Sequence, residues 1–394
     1  LPCYFIALTL FYLYDFPEEE WLMLSKIKSI EIRACRGGDQ LEELDTVAAV
    51  KLPGGSRPDF TVVTITTDDG VKGTSFGFGA QDAKAAAAAM SQVKPFFIGR
   101  SAHDSAKNMK DFEMYDRRWN HVPIYAYAPF DNACWDIVGK MAHLPVYKVL
   151  GAAREKVPLY VSSMFLDGPE DYAREALEVK AKGYKGYKLH PPGGLDLDIA
   201  CYRAVRAAVG DDFALMADPV IMASYEEALK AGRELERLGY KWLEEPLLDV
   251  NLNGLKKLRE KLDIPICGTE VIAGNQYSVA YCIKEGIVDI VRTDVSWRAG
   301  ITAVMKTAHL AEAHGVQCEL HTTIYHGLEQ VQLHASLAIS NCEYFETLYP
   351  FDDFLFGTKS QLNIVDGYVM APTGEGLCIE YDWDFIDKHT VAVL

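Results

Sequence analysis

Eight side chains capable of acid–base or metal chemistry recur along the second half of the chain: Lys188, His190, Asp218, Glu244, Glu270, Asp294, His321 and Glu346. From Asp218 onward they follow one another at intervals of 24 to 27 residues. They close short apolar stretches: "YKGYKLH", "FALMADP", "KWLEEPL", "PICGTEV", "VDIVRTDV", "VQCELHTT" and "CEYFETL". Asp218, Glu244 and Glu270 are carboxylates, and clustered carboxylates repel unless they are protonated or bridged by a cation. Oxygen ligands with open positions suit Mg2+, whereas zinc prefers His or Cys, which none of these three positions carries. Lys188 and His190 are two residues apart, so on a strand they share a face. Asp294 and His321 come from the opposite side, where a carboxylate orients an imidazole and raises its basicity. The chemistry is that of a metal flanked by two base groups.

An interval near 26 residues is one strand–helix unit. After Gly151, "VPLYVSS" and the seven stretches above alternate with helical runs such as "EDYAREALEVKAKG", "SYEEALKAGRELERLG" and "TAVMKTAHLAEAHG". Eight strands with seven helical connections predict an α/β fold in which a parallel sheet closes as a barrel. That closure brings the polar strand ends to one rim. An open doubly wound sheet is the other arrangement of such units, but no GxGxxG follows a strand. Residues 24–150 predict an α+β domain: a β-meander of "IKSIEIRACR", "FTVVTITTDDG" and "VKGTSFGFGA", then helices. Residues 151–350 form the barrel, and 351–394 return to the first domain. The polar stretch 37–59 reads as a lid, with Lys51 and Arg57 either meeting a distal substrate group or simply solvated. Residues 1–23, apolar and then acidic, read as a leader or an arm and stay outside the fold.

A net charge of −17 argues against nucleic acid or an anionic membrane as partner. Nine cysteines at wide spacings, with no CxxC pair, read as reduced thiols in a cytoplasm. No apolar run is long enough to span a bilayer.

From about Leu24 to the tail, the chain resembles the enolase superfamily, in particular its mandelate racemase/muconate lactonizing enzyme-like group. "WLEEP", "GTE" and "NACWDIVGKMAHLPVYKVLG" carry the likeness together with the strand-end residues. The resemblance implies a (β/α)7β TIM-like barrel with an N-terminal α+β capping domain. It implies Mg2+ on Asp218, Glu244 and Glu270, with Glu245 supporting from behind. The group's Lys-x-Lys falls on Lys188-Leu-His190, so a histidine stands at the position of the proton-transferring base while Lys188 meets the substrate carboxylate. With an ordinary pKa of about 6.5, an imidazole needs no depression to act near neutrality. The Asp/His dyad falls on Asp294 and His321, and the eighth-strand glutamate on Glu346, near the substrate or supporting the ligands. Asp218 is followed by Pro219 and Val220, where the group carries a second polar residue.

The function so implied is proton abstraction next to a carboxylate through an enediolate. Dehydration of an acid sugar to a 2-keto-3-deoxy acid is the first expectation. A racemase or epimerase of a 2-hydroxy acid, or a cycloisomerase, is the second, and a barrel that binds metal and ligand without turnover the third. His326, a few residues past the seventh strand, is a candidate substrate contact. His334 on the following helix reads as packing. Assembly as a homo-oligomer rests on the resemblance alone.

Overall fold

Apolar residues on one face and polar residues on the other make "IKSIEIRAC" a half-buried strand, while "FTVVTITT" is covered on both faces. A computed structural model of the chain describes residues 25–37, 59–79, 82–220, 222, 224–322 and 326–394. Most of the expected lid, with Lys51 and Arg57, and residues 1–23 lie outside them. Strands β1 (Ile27–Cys35), β2 (Phe60–Thr67) and β3 (Lys72–Phe78) form an antiparallel meander. Its inner face, with Ile30, Ile32, Val63 and Ile65, packs on helices Ala83–Phe97 and Ala128–Met141. The alanine-rich helix buries Ala83, Ala86, Ala87, Met90 and Val93, and Asp82 caps it by accepting from the Lys84 amide at 2.8 Å. Small side chains at helical spacing let the helix lie close on the sheet. Gly73 does the same for β3: a Cβ there would stand 2.1 Å from the Ala133 carbonyl oxygen.

The alternating half follows in order. Strands β4 (Lys156–Ser162), β5 (Gly186–Leu189), β6 (Ala214–Ala217), β7 (Leu243–Glu244), β8 (Ile266–Gly268), β9 (Ile290–Thr293), β10 (Gln317–Leu320) and β11 (Phe345–Leu348) are all parallel. Each of the seven connections carries a helix, from Pro169–Ala181 to His326–Ala338. Pairing runs β10-β9-β8-β7-β6-β5-β4, with β11 on the far side of β4. No backbone ladder joins β10 to β11 among the described residues. That seam is held by side chains: Glu319 accepts from the amides of Glu343 (2.6 Å) and Tyr344 (3.2 Å), and the Thr322 hydroxyl donates to the Glu346 carbonyl at 2.7 Å. Inside the ring Tyr160, Met216, Trp242, Cys267, Ile290 and Tyr344 make one apolar layer. The outer core lies between strands and helices.

The tail divides between the two bodies. Strands β12 (Ile364–Val365) and β13 (Tyr368–Met370) form a hairpin that pairs antiparallel with β4, so this part adds to the barrel rather than to the first domain. After helix Trp383–His389, β14 (Thr390–Val393) joins β1 at the edge of the first sheet. His334 ties these parts together: its Nδ1 accepts from the Tyr147 amide at 3.1 Å, and its Nε2 donates to the Leu377 carbonyl at 2.9 Å.

A second tie lies at helix Gly300–Ala313, which follows the Asp294 loop. Its own N-cap position holds Ala299 in a left-handed conformation, with no side chain able to cap. Asp131 of helix Ala128–Met141 caps it instead, accepting from the Thr302 amide at 2.8 Å and hydroxyl at 2.7 Å, while Asn132 accepts from the Ile301 amide at 3.0 Å. Gly300, at φ +83°, leaves room: a Cβ there would meet an Asp131 carboxylate oxygen at 2.7 Å. None of the eight cysteines among the described residues is in a disulfide, and no helix among those residues is long and apolar enough to cross a membrane.

Candidate active site

The strand ends on one rim carry the polar residues. Lys188 lies within β5, Glu244 closes β7, and Glu346 lies in β11; His190, Asp218, Asp294 and His321 each follow the last residue of their strands, and Glu270 comes two residues past β8. The backbone turns sharply here. Val220 (φ +59°), Glu245 (φ +39°) and Thr269 (φ +81°) sit beside Asp218, Glu244 and Glu270 respectively. Positive φ at branched residues costs roughly 1–3 kcal/mol and collects at functional sites. The Val220 amide donates to Asp218 Oδ1 at 2.9 Å, and the Thr269 hydroxyl donates to the Arg292 carbonyl at 3.0 Å.

Lys188 is buried at the centre, its Nζ 3.2 Å from Asp218, 2.9 Å from Glu244 and 2.8 Å from Glu346. Burial alone would lower its pKa, but Glu244 and Glu346 raise it well above the ordinary lysine value, so it stays charged. Arg292, fully buried, approaches Glu244 at 2.8 Å and Glu270 at 3.5 Å, and its other nitrogens donate to Glu346, to Tyr160 Oη at 3.2 Å and to the Leu320 carbonyl at 3.3 Å. Sequence reasoning missed Arg292. The signal was available in "IVRTD", where it stands two residues before Asp294 and so shares its face. Trp242 was missed in the same way; two residues before Glu244, it donates from Nε1 to Glu244 Oε2 at 2.8 Å.

On the Asp218 side, His190 Nδ1 lies 2.6 Å from the Ser163 carbonyl and Nε2 lies 3.1 Å from Asp218 Oδ2. A carbonyl only accepts, so Nδ1 carries a hydrogen and Nε2 is the nitrogen that exchanges protons. On the Glu270 side, His321 Nδ1 lies 2.8 Å from Asp294 Oδ2, and its Nε2 lies 3.6 Å from Glu270. Burial lowers the His321 pKa, yet Glu270 and Asp294 outweigh it and hold the value above that of an ordinary histidine. Asp294 is fixed in turn by the Ser296 amide at 2.8 Å and by the Trp297 amide.

Glu346, expected near substrate, is 2 % exposed and has both oxygens engaged: Oε1 by Lys188, Oε2 by Arg292 and the Thr322 amide. It anchors the two cations and offers no free oxygen. Glu245 turns behind the rim, where its Oε1 accepts from the Glu270 amide at 3.0 Å. His326 begins its helix, and its side chain lies outside what the structure describes. His334 is away from the rim, in the tie described above.

Four buried or nearly buried carboxylates, Asp218, Glu244, Glu270 and Glu346, thus meet two permanent cations, Lys188 and Arg292. The Glu270 carboxyl is pushed up to about 7, by burial and then by the charges of Glu244 and Asp218, against the pull of His321 and Arg292. The side chains close on Lys188 and Arg292, and among the described residues no three acids, histidines or cysteines stand together as metal ligands. An all-oxygen donor set on adjacent strands, with negative charge in excess of its permanent cations, nevertheless fits a hard divalent cation in donor chemistry and in charge.

Residues 171–385 match the enolase C-terminal domain-like family, and residues 48–151 match the mandelate racemase / muconate lactonizing enzyme N-terminal domain. The chain belongs to the enolase superfamily. Among superfamily relatives, arabinonate dehydratase of Saccharolobus solfataricus is 32% identical over 65% of this chain and 69% of its own length. D-galactarolactone cycloisomerase of Agrobacterium fabrum is 28% identical over 84% of this chain and 91% of its own. The crystal structure of D-glucarate dehydratase from Agrobacterium tumefaciens, complexed with magnesium, superposes with a TM-score of 0.82 at 33% identity, covering 93% of this chain and 100% of that one. Superfamily relatives are thus lyases and isomerases, built on the TIM-barrel architecture found here.

Proposed function

We propose that this protein removes the proton alpha to the carboxylate of a hydroxylated acid and, with an acid sugar as substrate, eliminates water to leave a 2-keto-3-deoxy acid. The observation that carries this reading is the bracket: His190 beside Asp218 and His321 beside Glu270 flank the carboxylate set from opposite sides, with Lys188 between them. Similarity to arabinonate and D-glucarate dehydratases supports the choice of substrate class.

His190, its Nδ1–H held by the Ser163 carbonyl, takes the C2 proton at Nε2. Charge then gathers on the substrate carboxylate as an enediolate. Lys188, kept positive by Glu244 and Glu346, sets a fixed positive charge beside it, and a direct hydrogen bond to substrate requires one of its three N–H groups to leave Asp218, Glu244 or Glu346. A magnesium ion held by Asp218, Glu244 and Glu270 would supply Lewis-acid stabilisation of the same charge. His321, oriented by Asp294, protonates the departing 3-hydroxyl from Nε2. Return of a proton from His321 to the opposite face of C2 would instead racemise or epimerise the substrate, and the same bracket favours this as the second reading.

A panel of acid-sugar stereoisomers with Mg2+ in deuterium oxide separates the two. Semicarbazone formation marks dehydration, and C2 deuteration without ketone marks racemisation. If neither appeared with any member of the panel, both readings would fail.

A further inference from the structure

Trp297 lies on the loop after β9, three residues past Asp294, and its side chain has no part in the chemistry described so far. Its ring stacks on His321, with centroids 4.5 Å apart and planes 27° apart. Its backbone amide donates to Asp294, the partner of His321 Nδ1. On another side, Phe78 at the end of β3 meets the indole edge-on, with centroids 5.7 Å apart at 72°, and Tyr125 meets Phe78 in the same way at 5.6 Å and 79°. Thus Tyr125 and Phe78 of the first domain back Trp297, and Trp297 backs His321.

Among the described residues the indole Nε1, though buried, has no hydrogen-bond partner. Leaving such a group unsatisfied costs roughly 1–3 kcal/mol, a cost that a purely apolar filler would avoid. The site therefore uses the breadth and face of the ring, not its donor. An imidazole held at Nδ1 by one hydrogen bond can still tilt through its side-chain torsions. A broad ring against its face removes this freedom and fixes the direction of Nε2. Such an aromatic pair is worth about 0.5–1.5 kcal/mol beyond area burial.

We propose that Trp297, backed by Phe78 of the capping domain, is a positioning residue for His321, so that the acid–base group on this side acts only when the capping domain is docked. This inference rests on the two-base reading above and assigns a task to only one of the two sides. Its test uses that asymmetry. With a substrate turned over by the wild-type protein, C2–H exchange into deuterium oxide reports the His190 side, and product formation reports the His321 side. Trp297→Leu is expected to lower product formation about 100-fold, the loss that a displacement of about 1 Å brings, while C2 exchange keeps its wild-type rate. Trp297→Phe retains a stacked ring and is expected to restore most of the turnover. Phe78→Ala, which leaves Trp297 in place, is expected to repeat the split in weaker form. Equal losses of exchange and product in both Trp297→Leu and Phe78→Ala would overturn the proposal, as would wild-type turnover in both. A wild-type protein that exchanged no C2 proton with any acid would instead defeat the two-base reading itself.

Discussion

At the scale of single residues, the two imidazoles differ in what holds them. His190 is tied through Nδ1 to a backbone carbonyl, which carries no charge and cannot take up its proton. His321 is tied to a carboxylate, which favours its protonated form. Both imidazoles also meet a carboxylate at Nε2, Asp218 at 3.1 Å for His190 and Glu270 at 3.6 Å for His321, so their roles follow from the side of the substrate that each faces. His190→Asn is therefore expected to abolish C2 exchange and leave Mg2+ binding intact by calorimetric titration. Near-normal exchange would remove His190 from the role of base. Glu244→Gln keeps the shape of the side chain and an oxygen for the Trp242 indole. It removes the charge that meets both Lys188 and Arg292. Mg2+ affinity should fall by more than the roughly 10–100-fold that loss of an outer-shell partner costs, and turnover should fall with it. An unchanged Mg2+ titration would move the ligand assignment to Glu245 or to another ligand set.

Among the elements, helix Gly300–Ala313 depends most on another part of the chain. Its cap comes from Asp131, on a helix of the first half, through Gly300, which only a residue without a side chain could occupy. Loss of a cap costs about 1 kcal/mol, and up to about 2 kcal/mol in a protein. Asp131→Ala should lower the stability measured by urea unfolding by that order. Gly300→Ala should lower it further, because it adds a clash and a left-handed alanine. A null result for Gly300→Ala would show that the two helices are not in register at this point. This cap also marks where the sequence stopped being readable. Alternation and apolar runs made the eight barrel strands and the three-stranded meander legible, because burial on one or both faces writes itself locally. The period of the strand ends made the rim residues legible as a group. Asp131 carries no such mark: "DNACW" reads as the start of a helix, and the partner it caps lies some 170 residues away. Arg292 and Trp242 were hidden differently. They sit one layer below the rim, where a polar residue on an inward face looks like any core position until its partners are known.

For the molecule as a whole, buried titratable groups pull stability in opposite directions with pH. Burial lowers the His334 pKa to about 4 from an ordinary 6.5, with the Leu377 carbonyl opposing. The unfolded chain therefore takes up this proton first, and stability is lost as pH falls from about 6.5 to about 4, by ~3 kcal/mol. Asp131, Glu175 and Glu319, each pushed up to about 7 mainly by burial, work the other way. Their contribution is complete below the ordinary carboxyl range and is lost as pH rises through about 7. Whole-protein curves mix these effects, so the useful quantity is a difference. His334→Gln should be less stable than wild type at pH 7.5, with a gap that narrows toward pH 4.5 in urea titrations. A gap that stays constant with pH would mean that His334 does not carry this proton linkage.

The seam between β10 and β11 bears on the order in which the protein can be made. One edge of β4 is completed by two late segments: β11 covers Leu159–Ser162 from one direction, and β13 covers Lys156–Pro158 from the other. A nascent chain that has emerged only through β10 is an open parallel sheet, with bare backbone along both β4 and β10. Such edges invite pairing with other chains. Synthesis therefore passes through a stage in which seven strands exist and the ring cannot close. A truncation ending before β11 should collect in the insoluble fraction. Supplying the remaining segment, β11 through β14, as a separate polypeptide in the same cell should recover part of it, because the missing strands bind an edge that is already formed.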